Sequence, residues 1–117
     1  MKLWIDDLRP APEGYVWLRT VNEAKWLIKY YEEVLDGAYR MNPNLPNKEA
    51  VEFFTLHIID IDTDAGVCVG DGGDYITLLG WLEETGRNYP IRIHGANAVG
   101  VANMRRVIQR NNWKEVF

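Results

Sequence analysis

Apolar and polar positions follow two different spacings along the chain, and these spacings predict strands and helices in alternation. Four short apolar segments, rich in β-branched and aromatic residues, are predicted strands: residues 2–5, 15–19, 54–61 and 91–94. Three segments with apolar residues every three or four positions are predicted amphipathic helices: residues 20–37, 75–82 and 101–108. A short last edge strand is predicted within residues 113–117.

The first predicted helix has signals at both ends. Thr20 and Glu23 have the spacing of a capping box, in which each side chain bonds the backbone N–H at the other position. Gly37 marks the predicted end of this helix. Residues 38–50 contain two prolines and three asparagines, so they are predicted to form a polar surface loop or an insertion.

The order of the predicted elements indicates one α/β domain, residues 1–117, with three layers and a mainly parallel sheet. No helix is predicted between the first two strands. The loop between them is long enough to run back along a short strand, so parallel pairing and a hairpin both remain open.

Polar residues follow three of the predicted strands where those strands end. In parallel sheets, ligands bind beyond the carboxyl ends of the strands. Clustered carboxylates raise one another's pKa and are tolerated chiefly where a cation or a proton lies between them. Oxygen ligands with a single cysteine in the chain favour Mg²⁺ or Mn²⁺ over zinc. Alternatively, these residues are helix caps and turn residues. The residues are Asp6, Asp7, Asp62, Asp64, His94, Gly95 and Asn97.

His94 is a candidate general acid or base, because histidine titrates near neutral pH. The alternative interpretation of His94 is a structural residue that is partly buried and hydrogen-bonded to a carbonyl. The segment 95–97 after it leaves backbone amides open to an anion at the start of a helix. Arg9 is a candidate phosphate ligand, and its alternative is a surface ion pair. His57 falls inside a predicted strand and is interpreted as structural.

A calcium loop is a further alternative, because Asp60, Asp62 and Asp64 stand at alternate positions. The sixth position of such a loop needs glycine for a sharp turn, and here it is Ala65. A strand rather than a helix also precedes the segment. Both features count against calcium.

The net charge of −4 argues against a nucleic-acid binder that works by neutralising phosphates, and no sequence-specific DNA binding is expected. One local basic stretch lies near the C-terminus: Arg105, Arg106, Arg110 and Lys114. No apolar run is long enough to span a membrane, and the N-terminus lacks the apolar region of a signal peptide. The expected location is the cytoplasm.

Four segments carry a resemblance to a known family: LWIDDLRPAPEG, RTVNEA, IDTDAG and IHGANAVG, starting at residues 3, 19, 61 and 93. In this order they resemble the cyclic-phosphate processing receiver domains, a compact branch of the response-regulator receiver fold. The resemblance implies a flavodoxin-like sheet that lacks the first receiver helix.

The resemblance also implies roles for individual residues. Asp6 and Asp7 would be the acidic pair that holds a divalent metal together with Asp62, which stands at the receiver phosphoacceptor position. Asp64 would lie beside Asp62. His94 and Asn97 would face them, with Gly95 between, and Arg9 would lie at the rim.

The implied activity is metal-dependent hydrolysis of cyclic phosphates on nucleotides or RNA ends. Four positions depart from the family pattern: Leu8, Thr63, Gly95 and Ala98. Thr63 stands where the family has histidine, and Gly95 where it has serine. A catalytically degenerate module that binds a nucleotide or a protein partner is therefore the alternative.

Overall fold

Five short strands and four helices are formed by residues 1–44 and 48–117, the part of the chain that this computed structural model describes. The strands are β1 Lys2–Ile5, β2 Tyr15–Leu18, β3 Ile58–Ile61, β4 Ile91–Ile93 and β5 Glu115–Val116. The helices are α1 Val21–Met41, α2 Lys48–Phe54, α3 Ile76–Glu84 and α4 Ala98–Arg110, and a 3₁₀ turn covers Gly66–Cys68. No helix among these residues is long and apolar enough to cross a membrane.

All strand pairs are parallel, and the sheet order is β2-β1-β3-β4-β5. The first two strands pair in parallel, so the loop between them runs back along the sheet and a hairpin is ruled out. The prediction of an α/β receiver-like sheet with no helix in the first connection is confirmed.

One face of the sheet holds the hydrophobic core. Leu3, Ile5, Ile59, Ile61 and Ile91 alternate along their strands with residues of the opposite face, and each is 0% exposed. The three later connections all step across the sheet in one direction, so right-handed crossovers place their helices on this same face. Contacts of α3 with both α1 and α4 agree with this arrangement. Within the described ranges, no helix packs on the opposite face, so the second helical layer expected of a three-layer fold is not seen.

Helix α1 is longer than predicted. It runs to Met41 instead of ending near Gly37, and an ion pair from Arg40 to Asp36 (2.8 Å) lies in its last turns. Glycine in a helix interior costs only about 1 kcal/mol relative to alanine, so the neighbouring helix formers outweigh Gly37. The Thr20 hydroxyl caps the helix by accepting the Glu23 N–H at 3.0 Å, as predicted.

Helix α1 covers residues 38–41 and helix α2 covers residues 48–50, so the predicted loop 38–50 is wrong for these two segments, while residues 45–47 lie outside the described part of the chain. The next strand begins at Ile58 instead of residue 54. The apolar spacing of a short segment does not decide between helix and strand. Here the Phe54 ring of α2 packs on Tyr31 of α1, with centroids 5.4 Å apart.

His57 therefore lies before β3 and is exposed, not inside a strand as predicted. Its Nε2 lies 3.1 Å from the Glu52 carbonyl, and its backbone N–H donates to the Met1 carbonyl. These contacts are structural.

Candidate functional site

The carboxyl ends of β1, β3 and β4 bring three of the predicted residues together. Ligand atoms of Asp6, Asp62 and His94 all lie within 4.8 Å of one another. The sheet face opposite the helices is called the uncovered face. Trp4, Asp60 and Arg92 are aligned on this face, and each stands two positions before one of the three cluster residues. The cluster therefore lies where the uncovered face meets the carboxyl edge.

His94 is held between two buried aspartates. Its Nδ1 lies 2.6 Å from Asp60 Oδ1, and its Nε2 lies 2.9 Å from Asp6 Oδ2. The ring stacks on Trp4 with centroids 3.8 Å apart, and the His94 side chain is only 5% exposed. Both ring nitrogens face carboxylate oxygens, and the ring can donate to both of them only as an imidazolium.

Electrostatics favour this charged form of His94. Burial alone would lower its pKa, but hydrogen bonds to Asp60 and Asp6, together with their charges, raise the pKa above the ordinary histidine value. Two negative carboxylates beside one ring outweigh the cost of desolvating a single positive charge.

Asp60 links His94 to Arg92. Its Oδ1 faces the His94 ring, and its Oδ2 accepts from Arg92 Nη1 at 2.9 Å. Sequence reasoning had considered Asp60 only as part of a calcium loop and missed this role. A detectable signal was present, since Asp60 is a charged residue in the apolar strand Ile58–Ile61 and lies two positions before Asp62.

Asp6 has both carboxylate oxygens engaged by the protein. Oδ1 accepts the backbone N–H groups of Leu8 (2.9 Å) and Arg9 (2.8 Å), and Oδ2 accepts from His94. Burial raises the pKa of Asp6, but these hydrogen bonds and the His94 charge outweigh it, so the pKa is lowered. Asp6 is therefore an ionised partner of His94, and it belongs with Asp62 and His94 to a group of side chains that could hold a cation.

Asp7 is not in the cluster of Asp6, Asp62 and His94. It is buried, with 6% of its surface exposed. Gly66 lies against it with φ +54°, and a β-carbon at Gly66 would collide with Asp7 Oδ2. The two neighbouring aspartates therefore have different surroundings.

Asp62 lies close to glycine backbone. Its Oδ1 accepts the Thr63 N–H at 2.7 Å, and a β-carbon at Gly95 would lie 2.7 Å from the same oxygen. Burial raises the pKa of Asp62 and so does the Asp6 charge, while the Thr63 N–H, His94 and Arg9 oppose the rise, and the net shift is upward. Gly95 is the residue that this close approach requires.

Thr63, which replaces the family histidine, is 4% exposed. A β-carbon at Gly95 would lie 2.6 Å from Thr63 Oγ1, and one at Gly100 would lie 2.9 Å from Thr63 Cβ. The space around position 63 is therefore matched to a small side chain. Two of the departures from the family pattern, Thr63 and Gly95, are packed against each other.

Asp64 and Asn97 lie at the outer edge of the site. Asp64 Oδ2 accepts from the Thr63 hydroxyl at 3.0 Å, and Asn97 Nδ2 lies 3.4 Å from the same oxygen. Asn97 Oδ1 accepts the N–H groups of Val99 and Gly100, so Asn97 is the N-cap of α4. For this residue the helix-cap alternative is observed.

Arg9 is exposed at the rim of the site. Its backbone N–H is bonded to Asp6, and its charge lowers the pKa of Asp62. Its guanidinium therefore acts on the carboxylate cluster from the solvent side.

The donor set fits a divalent cation that prefers oxygen ligands. Asp7 and Asp62 retain carboxylate oxygens that the described residues do not engage. Carboxylate oxygens suit Mg²⁺ and Mn²⁺. Asp6, the third predicted ligand, also faces His94, and its role as a metal ligand stays a prediction.

A comparison with protein-family models matches residues 1–110 to the model described as the cyclic-phosphate processing receiver domain. No curated protein matches the chain, and no solved structure matches it.

Proposed function

This chain belongs to the cyclic-phosphate processing receiver domain family, and we propose that it hydrolyses a cyclic phosphate ester with His94 as general acid. The observation that carries the proposal is the orientation of His94. Asp60 holds Nδ1, so Nε2 is directed at the carboxyl edge of the sheet, beside Asp6 and Asp62. A histidine oriented by a carboxylate is a recurring arrangement in acid–base catalysis.

The reaction divides between His94 and Asp64. A water attacks the phosphorus and gives its proton to the Asp64 carboxylate. The bond from phosphorus to one ribose oxygen breaks, and that oxygen takes the proton of His94 Nε2, which faces Asp6 in the absence of substrate. Nδ1–H stays bonded to Asp60, so the ring keeps its orientation. Asp64 then releases its proton to solvent, and Nε2 regains one from solvent.

A phosphate needs positive charge to approach these carboxylates. Arg9 supplies one such charge at the rim, and the backbone of Gly95 and the amide of Asn97 lie at the same edge. A Mg²⁺ or Mn²⁺ ion held by the predicted ligands Asp6, Asp7 and Asp62 would neutralise the phosphate oxygens.

A binding module without catalysis is the second candidate, and the packing of Thr63 favours it. A second histidine at this position would have to displace the backbone at Gly95 and Gly100. General acid and base steps contribute about 10²–10⁴-fold each, so loss of one partner would leave slow turnover or binding alone.

The test is hydrolysis of 2′,3′-cyclic nucleotides by the purified chain, with EDTA and then with Mg²⁺ or Mn²⁺. We expect metal-dependent turnover that falls about 10²-fold or more in His94→Gln. His57→Gln is the matched control, because His57 is exposed and remote from the site. Circular dichroism confirms that both variants fold.

Turnover that is equal in His94→Gln and His57→Gln would contradict the general-acid role. Binding of the cyclic nucleotide without any product, with or without metal, would select the binding module instead.

A further inference from the structure

The sheet face opposite the helices carries aromatic and basic side chains. Parallel register places eight residues of the five strands on this face: Lys2, Trp4, Tyr15, Trp17, Ile58, Asp60, Arg92 and Val116. Trp17 is 39% exposed, and the Arg92 side chain is 42% exposed. This surface therefore presents aromatic rings and cations to solvent, where the other face is a closed apolar core.

Hydrogen bonds fix two indole rings at the end of this face that borders the candidate site. Trp4 Nε1 donates to the Arg9 carbonyl at 2.9 Å, and Trp17 Nε1 donates to the Asp6 carbonyl at 2.7 Å. Asp6 is itself a member of the cluster with His94. A planar group stacked on Trp17 would thus lie next to the site.

Basic residues surround these rings. Lys2 Nζ lies 5.5 Å from the centre of the Tyr15 ring, and Arg19 Cζ lies 5.6 Å from the Trp17 ring. Arg9 is exposed at the same edge. These cations come from separate strands and loops, so they form no basic stretch in the sequence.

Acidic residues of this face cancel only part of its charge. Asp60 pairs with Arg92, Asp6 faces His94, and Glu13 in the loop is exposed. The other cations of the face form no ion pair with a described residue. The face therefore presents unpaired cations, although the net charge of the chain is −4 and carboxylates of the candidate site lie at its edge.

The basic stretch near the C-terminus is partly neutralised. Arg105 pairs with Glu115 at 2.7 Å, and Arg110 pairs with Glu83 at 2.7 Å, while Arg106 bonds the Asn103 side chain. On the uncovered sheet face, in contrast, cations lie beside the rings of Tyr15 and Trp17.

We propose that this basic aromatic face, formed by Lys2, Arg9, Tyr15, Trp17, Arg19 and Arg92, binds single-stranded RNA. Aromatic rings on a sheet stack with unpaired bases, and cations beside them contact the backbone phosphates. A duplex hides its base faces, so a single strand is the form that fits. The ligand is RNA because a 2′,3′-cyclic phosphate requires a ribose 2′-hydroxyl.

The proposed function adds a direction to this binding. A strand lying on the face would carry its 3′ end to His94 and Asp62 at the carboxyl edge. This direction and the choice of RNA over single-stranded DNA rest on the proposed function, whereas binding of a single-stranded polyanion to the face does not.

A second exposed aromatic pair serves as the control surface. Trp26 and Tyr30 on α1 stack with centroids 5.2 Å apart, and Trp26 is 62% exposed. Glu23 and Glu33 lie in the hollows beside Trp26. Carboxylates at these positions repel a polyanion, so this pair should not bind RNA.

The experiment measures binding of a fluorescently labelled hexaribonucleotide that ends in a 3′-hydroxyl, with EDTA present. This probe has no cyclic phosphate, so its binding does not depend on catalysis or on metal. We expect salt-dependent binding, and an affinity about tenfold weaker in Trp17→Leu, as for loss of one stacked base.

Lys2→Gln should weaken binding several-fold and reduce the slope of log affinity against log salt by about 0.7. It also keeps the test valid if Trp17→Leu unfolds, because Lys2 is exposed. Trp26→Leu and Lys29→Gln are the matched controls on α1, and their affinities should equal that of the wild type.

Three results would overturn the proposal. These are no binding at low salt, equal losses in the face variants and the α1 variants, and equal affinity for a duplex of the same length. If the wild type binds the hexamer but never hydrolyses a cyclic phosphate, the RNA-binding face stands and the catalytic proposal fails.

Discussion

The two faces of one sheet have opposite chemistry, although the same strands form both. On the covered face, Ile59 and Ile61 are 0% exposed and pack with the helices. On the uncovered face, Asp60 lies between them in sequence and joins His94 to Arg92. The comparison shows that apolar burial is concentrated on one face, while the candidate chemistry is concentrated on the other and at its edge.

Asp6 and Asp7 also differ, although they are neighbours directly after β1. Asp6 belongs to the cluster with Asp62 and His94, and both of its carboxylate oxygens accept hydrogen bonds. Asp7 lies against Gly66, where a β-carbon would meet its Oδ2. The two aspartates therefore have different surroundings.

The largest expected effect is loss of a core side chain. Ile59→Ala should lower the free energy of unfolding by about 2–5 kcal/mol, because it removes buried methylenes and leaves a cavity. Ile58→Ala, on the uncovered face of the same strand, should cost roughly half of that or less, since Ile58 is only partly buried. Urea denaturation of both variants measures the difference. Equal losses would contradict the one-sided core.

The sequence predicted the strand ends well, because apolar segments followed directly by polar residues mark the carboxyl edge of a parallel sheet. Asp6, Asp62 and His94 were predicted at one edge of the sheet because each of them directly follows an apolar strand. It did not reveal Asp60 or Trp4, since their contacts with His94 depend on the register between strands. Likewise, the segment that forms helix α2 is too short for its apolar spacing to distinguish a helix from a strand.

The next effect concerns the close approach at Gly66. Gly66→Ala should cost about 1–3 kcal/mol of stability, because alanine is strained at φ +54° and its β-carbon would displace Asp7. It should also abolish the increase in melting temperature that we expect from millimolar Mg²⁺.

Gly86→Ala is the matched control for Gly66→Ala. Gly86 has φ +67°, and a β-carbon there would meet no atom within 4 Å. This variant should carry the backbone strain alone and keep the full Mg²⁺ response. If Gly66→Ala also keeps that response, Asp7 is not a metal ligand.

The smallest effect is a pH dependence of stability measured in EDTA. The pKa of His94 is raised by folding, so its contribution is complete below the ordinary histidine pKa of about 6.5 and is lost as pH rises through the raised pKa. Asp60→Asn removes one of the two charges responsible, so its stability should fall less steeply on the alkaline side. Urea midpoints across that range measure both slopes.

Stability measured at acid pH tests the charge of His94 less directly, because two other groups titrate there with opposite effects. The lowered pKa of Asp6 means that its contribution is lost as pH falls through that pKa, while the raised pKa of Asp62 acts in the opposite direction. Parallel alkaline slopes in wild type and Asp60→Asn would show that Asp60 does not stabilise the charged ring.

The central claim is that His94 is an imidazolium with both nitrogens bonded to aspartates. Nitrogen-15 NMR of the histidine rings tests it directly, about one pH unit above the ordinary histidine pKa. The account predicts that Nδ1 and Nε2 of His94 both carry protons protected from exchange, and that Asp60→Asn removes this protection while exposed His57 stays unchanged. A neutral His94 ring with a single protonated nitrogen at that pH would contradict it.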